Sequence, residues 1–512
     1  MTTQQALEAL EQLERTLQAY GHALGALNYD AETVAPRNSA PARGSTVAFL
    51  SGIVHGHVTA EETGEIADTL LAAGEALPEA ARRRAKLLKK QRDELTLIPA
   101  EEYMAYQALL AESMQVWHDA KLNSDYPAFA PYLEKIIAFN RRLAARKDPS
   151  KPAYDVLLDG YEEGLTHAVL DPFFDLLQRE LTPLILEVAE RPLPDIGFLD
   201  KKYPIHLQRQ LTDRVLEMMG VSRDDCAVGE TEHPFTEGFN RHDVRIATHY
   251  YEDSVLSNLY SVIHEGGHAL YEMNVAEELQ GTLLAGGSSM SIHESQSRFY
   301  ENLIGRSLPF CEALLPHMRA LFPEQMAGVT PEKLYRAANL SRPSLIRTEA
   351  DELTYPMHVM IRYRLEKAMI QGDLGVRDIP GEWNRLYREC LGVTVPDDRR
   401  GCLQDSHWSF GAIGYFPSYA LGSAYGVQML GRMGAEVDVW EAVRAGDLRP
   451  VTAWLAEHIH RYGQLKPPAW LIENACGGPF EPMVYVGYLK GKYGSDLGLS
   501  SCKCCGGCGK QG

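Results

Sequence analysis

The 512-residue sequence contains no run of about 18 unbroken apolar residues, so a membrane-spanning helix is not expected. Positive charge is short: 50 Lys and Arg against 69 Asp and Glu leave a formal net charge of -19. Nucleic-acid backbones are bound by clustered cations, so a nucleic-acid partner is not expected either. A disulfide framework is missing. Of the nine cysteines, Cys226, Cys311, Cys390, Cys402 and Cys476 are scattered without regular spacing and read as reduced thiols, several of them buried. The other four, Cys502, Cys504, Cys505 and Cys508, crowd into CKCCGGC near the end, a density able to bind a soft metal. Flanked by Gly and Ser, residues 499–512 read instead as a disordered tail. The opening MTTQQALEALEQLERTLQAY has neither a basic n-region nor an apolar h-region, so a cytoplasmic protein is expected. Internal repeats are absent and strand signal is scarce.

What is present is a well-supplied core, with 45% hydrophobic and 23% charged residues. The length exceeds the usual limit of a single core, which predicts either one large helical body or two lobes around a cleft. Leu7, Leu10, Leu13, Leu17, Leu24 and Leu27 mark one apolar helix face, and further such faces follow. Breaks are expected where Pro and Gly cluster: at residues 36–41, around Pro78, at Asp148-Pro149 and through 191–198. The best strand is 244–251 (VRIATHYY), implying a small sheet just before the next helix. From Ser254 onward, Leu256, Leu259, Tyr260, Ile263 and Leu270 recur at helical spacing, leaving the other helix face free to address a cleft.

That helix carries His264-Glu265-Gly266-Gly267-His268. Histidines four apart project from one face, close enough to grip one tetrahedral ion, and Glu265 falls beside the ion and not on it. A carboxylate so placed can take a proton from water whose pKa the ion has lowered. Each glycine costs about 1 kcal/mol of helix propensity relative to Ala, which close approach of another backbone or of substrate would explain. A third ligand is expected downstream in GGSSMSIHESQSRFYENLIG. Glu294, among polar neighbours, is preferred to Glu301, which lies near Leu303 and Ile304; His293 is a lesser rival.

At this point the chain resembles the carboxypeptidase Taq family of thermostable metallocarboxypeptidases. Six motifs come in family order: His233-Pro234-Phe235; Asp243-Val244-Arg245 of D-x-R-x-T; the histidine motif; His293-Glu294-Ser295-Gln296; residues 346–351 (IRTEAD); and residues 401–408 (GCLQDSHW). Weaker similarity at 26–33, 154–164 and 414–422 extends it to about residue 498. The resemblance implies a mainly α, saddle-like, two-lobed body around a deep groove, with the small sheet beside the histidine helix. It implies one catalytic domain over 1–498, whose helical part of about 1–150 flanks the groove. It also implies a homodimer that removes single residues from the free C-termini of peptides using zinc or, in some members, cobalt. By resemblance, His264, His268 and Glu294 are the metal ligands and Glu265 the general base. One departure is Ala247, which stands where D-x-R-x-T has Thr; Thr248 follows and on a strand faces the other way.

A C-terminal exopeptidase must recognise a carboxylate, which a guanidinium does with paired hydrogen bonds. Arg347 is the first candidate and Arg245 the second, each alternatively a structural partner of Asp351 or Asp243. His407 and Tyr415 are candidate donors to a developing oxyanion. Trp408, Phe410 and Phe416 are expected in the core. Asp351 and Asp405 are expected to orient an Arg or a ligating His. Two rival readings remain: an endo-acting zinc oligopeptidase, and a non-catalytic peptide-binding protein.

Overall fold

The expected boundaries follow from local chemistry. The first helix, Thr3–Thr33, starts at a capping box in which Thr2 and Gln5 exchange bonds, and it stops short of Pro36. Glu79–Thr96 begins directly after Pro78, and Tyr126–Lys147 ends before Asp148-Pro149. Residues 191–198 lie between the helices His167–Ala189 and Ile205–Met219. The computed structural model describes residues 1–494, so the cysteine-rich tail lies outside the described residues. Within them the fold is mainly α, with one three-stranded sheet. No described helix is long and apolar enough to cross a membrane.

The sheet consists of β1 (Cys226–Glu230), β2 (Phe235–Asn240) and β3 (Asp243–Thr248) in the order β1-β3-β2. The central β3 is parallel to β1 and antiparallel to β2, with Cys226 opposite Val244 and Phe235 opposite Ala247. The strand expected over 244–251 therefore ends at Thr248, and the chain leaves the sheet before the histidine helix, Val255–Met273. Ala247 is fully buried, and the Thr248 hydroxyl meets Ser261 at 3.1 Å and accepts from Asn258 at 3.3 Å. The displaced hydroxyl thus ties the sheet to the histidine helix.

Two separate apolar clusters hold the chain. The large one begins at Ala120 and runs to Tyr493. The small one joins Ala6 and Leu10 to Ile66, Ala67, Leu70, Leu77, Ala81, Ala85 and Leu88. Polar contacts tie the smaller unit to the larger: Arg83 and Lys86 each reach Glu163 at 2.6 Å, and Arg83 also donates to the Gln464 carbonyl. Trp408 and Phe416 are buried as expected. Phe410 is not: it closes the short turn His407–Phe410, Gly411 then redirects the chain at φ 80°, and the ring is left 41% exposed. Cys226, Cys311, Cys390 and Cys402 are buried free thiols, and Cys476 is half-buried.

Candidate metal centre

His264 and His268 lie one turn apart on the histidine helix, and Glu294 sits mid-way along the helix Met290–Arg298, whose first turn is capped by the Ser289 hydroxyl. The two helices approach so closely that a Cβ at Gly267 would fall 2.8 Å from both the Gln296 carbonyl oxygen and Ser297 Cα. A third helix, Pro417–Met433, closes the other side, where a Cβ at Gly422 would fall 2.8 Å from Glu294 Cβ. The glycines that weaken these helices are what let the backbones approach and fix Glu294 between them.

The result is a cluster in which one donor atom each of His264, His268 and Glu294 lies within 4.8 Å of the others. Both histidine Nε2 atoms stand 3.8 Å from Glu294 Oε2, beyond hydrogen-bond reach. Two ring nitrogens and a carboxylate oxygen facing a common point fit a divalent ion with donors about 2 Å away. The opposite ring nitrogens are held from behind. His264 Nδ1 meets Glu301 Oε2 at 2.9 Å, and His268 Nδ1 meets His293 Nδ1 at 2.6 Å. Glu301 lies on a π-helical stretch, Phe299–Gly305, directly after the Glu294 helix. It accepts from Arg298 and Arg306. Burial alone would raise its pKa, but Arg298, His264 and Arg306 hold it well below the usual carboxylate range. Glu301 is thus behind His264, and His293 behind His268.

Glu265 is 6% exposed and points at β2, where the Thr236 hydroxyl donates to its Oε2 at 2.7 Å. Burial pushes its pKa up, and nearby His264 and Thr236 pull it back. Arg298 Nε donates to Glu294 Oε1 at 2.7 Å, and its guanidinium lies 4.5 Å over the Tyr355 ring.

Tyr355 links this cluster to a second one. Its hydroxyl accepts from Arg347, whose Nε donates to Asp405 Oδ1 at 3.0 Å. Arg362, fully buried, donates to Asp405 Oδ2 at 2.6 Å and to the Gln404 side chain. Two guanidiniums thus share one carboxylate, leaving an excess of positive charge. The aromatic side chains of Phe416 and Tyr419 lie 5.5 and 5.0 Å from Arg347. His407 is stacked on Tyr415, and burial drops its pKa to about 4, so it is neutral near pH 7. Burial raises Tyr415 to about 12, and Glu294 lies within electrostatic range of it. Arg245 stands apart from this cluster, bonded twice to Asp243 at 2.8 Å and lying 4.6 Å over Phe239. Asp351 orients neither Arg347 nor a histidine; it accepts from Ser341, Thr354 and backbone N–H groups, capping the chain before Tyr355.

Several supporting residues escaped the sequence, among them Arg298, Arg362 and Thr236. Arg298 is readable in retrospect as a cation four residues beyond Glu294. Arg362 and Thr236 carried no such signal, because their partners are distant in the chain.

A histidine pair and carboxylate converging on a mainly helical frame, with a buried carboxylate alongside, define the class as a helical metallopeptidase. The chain belongs to the carboxypeptidase Taq (M32) metallopeptidases, whose family model matches residues 9–493. It is 38% identical over 483 residues to carboxypeptidase 1 of Bacillus subtilis (strain 168), covering 94% of this chain and 96% of that one. It is 34% identical over 488 residues to thermostable carboxypeptidase 1 of Pyrococcus furiosus, covering 94% and 96%. The crystal structure of an M32 carboxypeptidase from Deinococcus radiodurans R1 superposes with a TM-score of 0.93 at 34% identity, covering 97% of this chain and 100% of that one.

Proposed function

We propose that this protein removes single residues from the free C-termini of peptides, with a divalent ion held by His264, His268 and Glu294 and with Glu265 as general base. The observation that carries this reading is the pair of Nε2 atoms facing Glu294 Oε2 at 3.8 Å, with the Glu265 carboxylate held beside them by Thr236. The ion is zinc in this reading, with cobalt able to substitute, because two imidazoles and one carboxylate leaving an open position is a catalytic zinc donor set. When bound, it supplies Lewis acidity that polarises a carbonyl and acidifies water.

Glu265 takes the proton of the attacking water and delivers it to the departing amine nitrogen, and the Thr236 hydroxyl holds the carboxylate in line for both transfers. Arg347 anchors the terminal carboxylate of the peptide: its tie to Asp405 fixes the guanidinium, while the excess charge shared with Arg362 leaves it attractive to an anion. Arg245, paired with Asp243, is the lesser anchor. Tyr415, protonated up to about pH 12, and neutral His407 are the donors to the developing oxyanion. The same reading takes the enzyme to be a homodimer, on the family resemblance.

The test uses metal-loaded protein and one N-terminally blocked peptide as free acid and as C-terminal amide, with products followed by mass. Stepwise shortening of the acid alone is expected. Equal internal cleavage of both forms would replace this reading with an oligopeptidase, and no cleavage of either would replace it with a peptide-binding protein.

A further inference from the structure

The two metal-facing histidines are held by different devices. Behind His264 stands a carboxylate, Glu301; behind His268 stands another imidazole, His293, whose second nitrogen, Nε2, lies 2.7 Å from Glu272 Oε1. Three groups thus form a line: Glu272, His293, His268. Space for it is built into the fold by residues that lack side chains. A Cβ at Gly287 would fall 2.5 Å from His293 Cδ2, and one at Gly238 of β2 would fall 2.9 Å from Glu272 Cγ.

We infer that Glu272 and His293 are positioning residues that fix the ring tautomer of His268, and so keep the lone pair of its Nε2 turned toward Glu294. This rests on the metal-site reading above. A carboxylate only accepts hydrogen bonds, so Glu272 requires a proton on His293 Nε2. With its single ring proton so placed, His293 has a bare Nδ1, which accepts at 2.6 Å from a proton on His268 Nδ1. With its proton there, His268 presents a bare Nε2 to the Glu294 side. The opposite tautomer of His293 would set a lone pair against the Glu272 oxygen 2.7 Å away and turn His268 Nε2 into a donor, unable to hold a cation. Partners of this kind behind a ligand alter metal affinity without touching the metal.

Substituting Glu272 distinguishes this from simple packing. Glu272→Leu removes the acceptor, whereas Glu272→Gln keeps an oxygen for His293 Nε2 but can also turn its amide to donate, weakening the enforcement without abolishing it. The measurement is zinc affinity of metal-free protein, by competition with a chromophoric chelator, together with the melting temperature of each protein without metal. We expect zinc binding weakened about tenfold or more in Glu272→Leu and by about threefold or less in Glu272→Gln, with metal-free melting temperatures unchanged. Wild-type affinity in Glu272→Leu would overturn the inference, as would equal losses in the two variants. Should Glu272→Leu not fold, wild-type affinity in Glu272→Gln and in His293→Asn together would overturn it. Zinc binding that survives His264→Ala in the otherwise unaltered protein would overturn the metal-site reading itself, and the relay with it.

Discussion

At the scale of single residues, the chemistry rests on Glu265 and the group that aims it. Replacing Glu265 by Gln keeps the shape and removes the base, so turnover should fall by about 100-fold or more while metal content, measured by elemental analysis, stays at the wild-type level. Thr236→Val is nearly isosteric and removes one hydrogen bond to a carboxylate, an interaction worth about 1.5–3 kcal/mol. Its kcat should drop about tenfold with KM and metal content little changed. A Thr236→Val enzyme of full activity would show that Glu265 is aimed by something else. These two residues also mark what a sequence can reveal. Glu265 was legible because its neighbours at one helical turn, His264 and His268, form a pattern with chemical meaning. Thr236 was not, because its partner lies 29 positions away and on another element, and nothing in a Thr on a short strand signals what faces it.

At the scale of elements, the helix faces were legible from periodicity and the breaks from Pro and Gly, whereas β1 and β2 were not, since Gly229 and Gly238 interrupt the β-branched pattern that revealed β3. The two glycines of the histidine motif were recognisable as costly, but which neighbour required them was not. The structure separates their roles, and this gives a contrast to measure. A methyl at position 267 meets the backbone of Gln296 and Ser297 at 2.8 Å, and backbone in a packed helix cannot yield cheaply. Gly267→Ala should therefore cost about 2–3 kcal/mol in urea unfolding, even after the gain in helix propensity, and should weaken metal retention by displacing Glu294. A methyl at 266 meets the terminal Met219 methyl group at 2.7 Å, and a Met side chain can swing aside. Gly266→Ala should thus lie within about 1 kcal/mol of wild type. Equal effects at the two positions would mean that the helix spacing is not what sets the site.

At the scale of the whole molecule, two apolar cores are joined by a few apolar side chains, Ala80, Leu87 and Leu283, and by charged groups, so the smaller unit should separate first when those groups are neutralised. Glu163 is the shared anchor: burial alone would raise its pKa, but Arg83 and Lys86 outweigh burial and bring it to about 2, from an ordinary value of 4.5. An acid whose folded pKa is depressed contributes stability that is complete above its unfolded value and is lost as pH falls toward the folded one. The contribution of Glu163 is therefore present above pH 4.5 and fades down to about 2. Arg298 and Arg306 at Glu301, and Arg362 and Arg347 at Asp405, also hold those two carboxylates below their usual range, but these pairs lie inside the large core, whereas Glu163 joins the smaller unit to it. Acidification from pH 4.5 toward 2 should then strip hydrogen-exchange protection from residues 1–96 before the large core loses its own. Glu163→Gln should show part of that loss already at pH 7, because an amide accepts from Arg83 without the charge. Simultaneous loss of protection in both units, in wild type and variant alike, would mean that the two cores unfold as one.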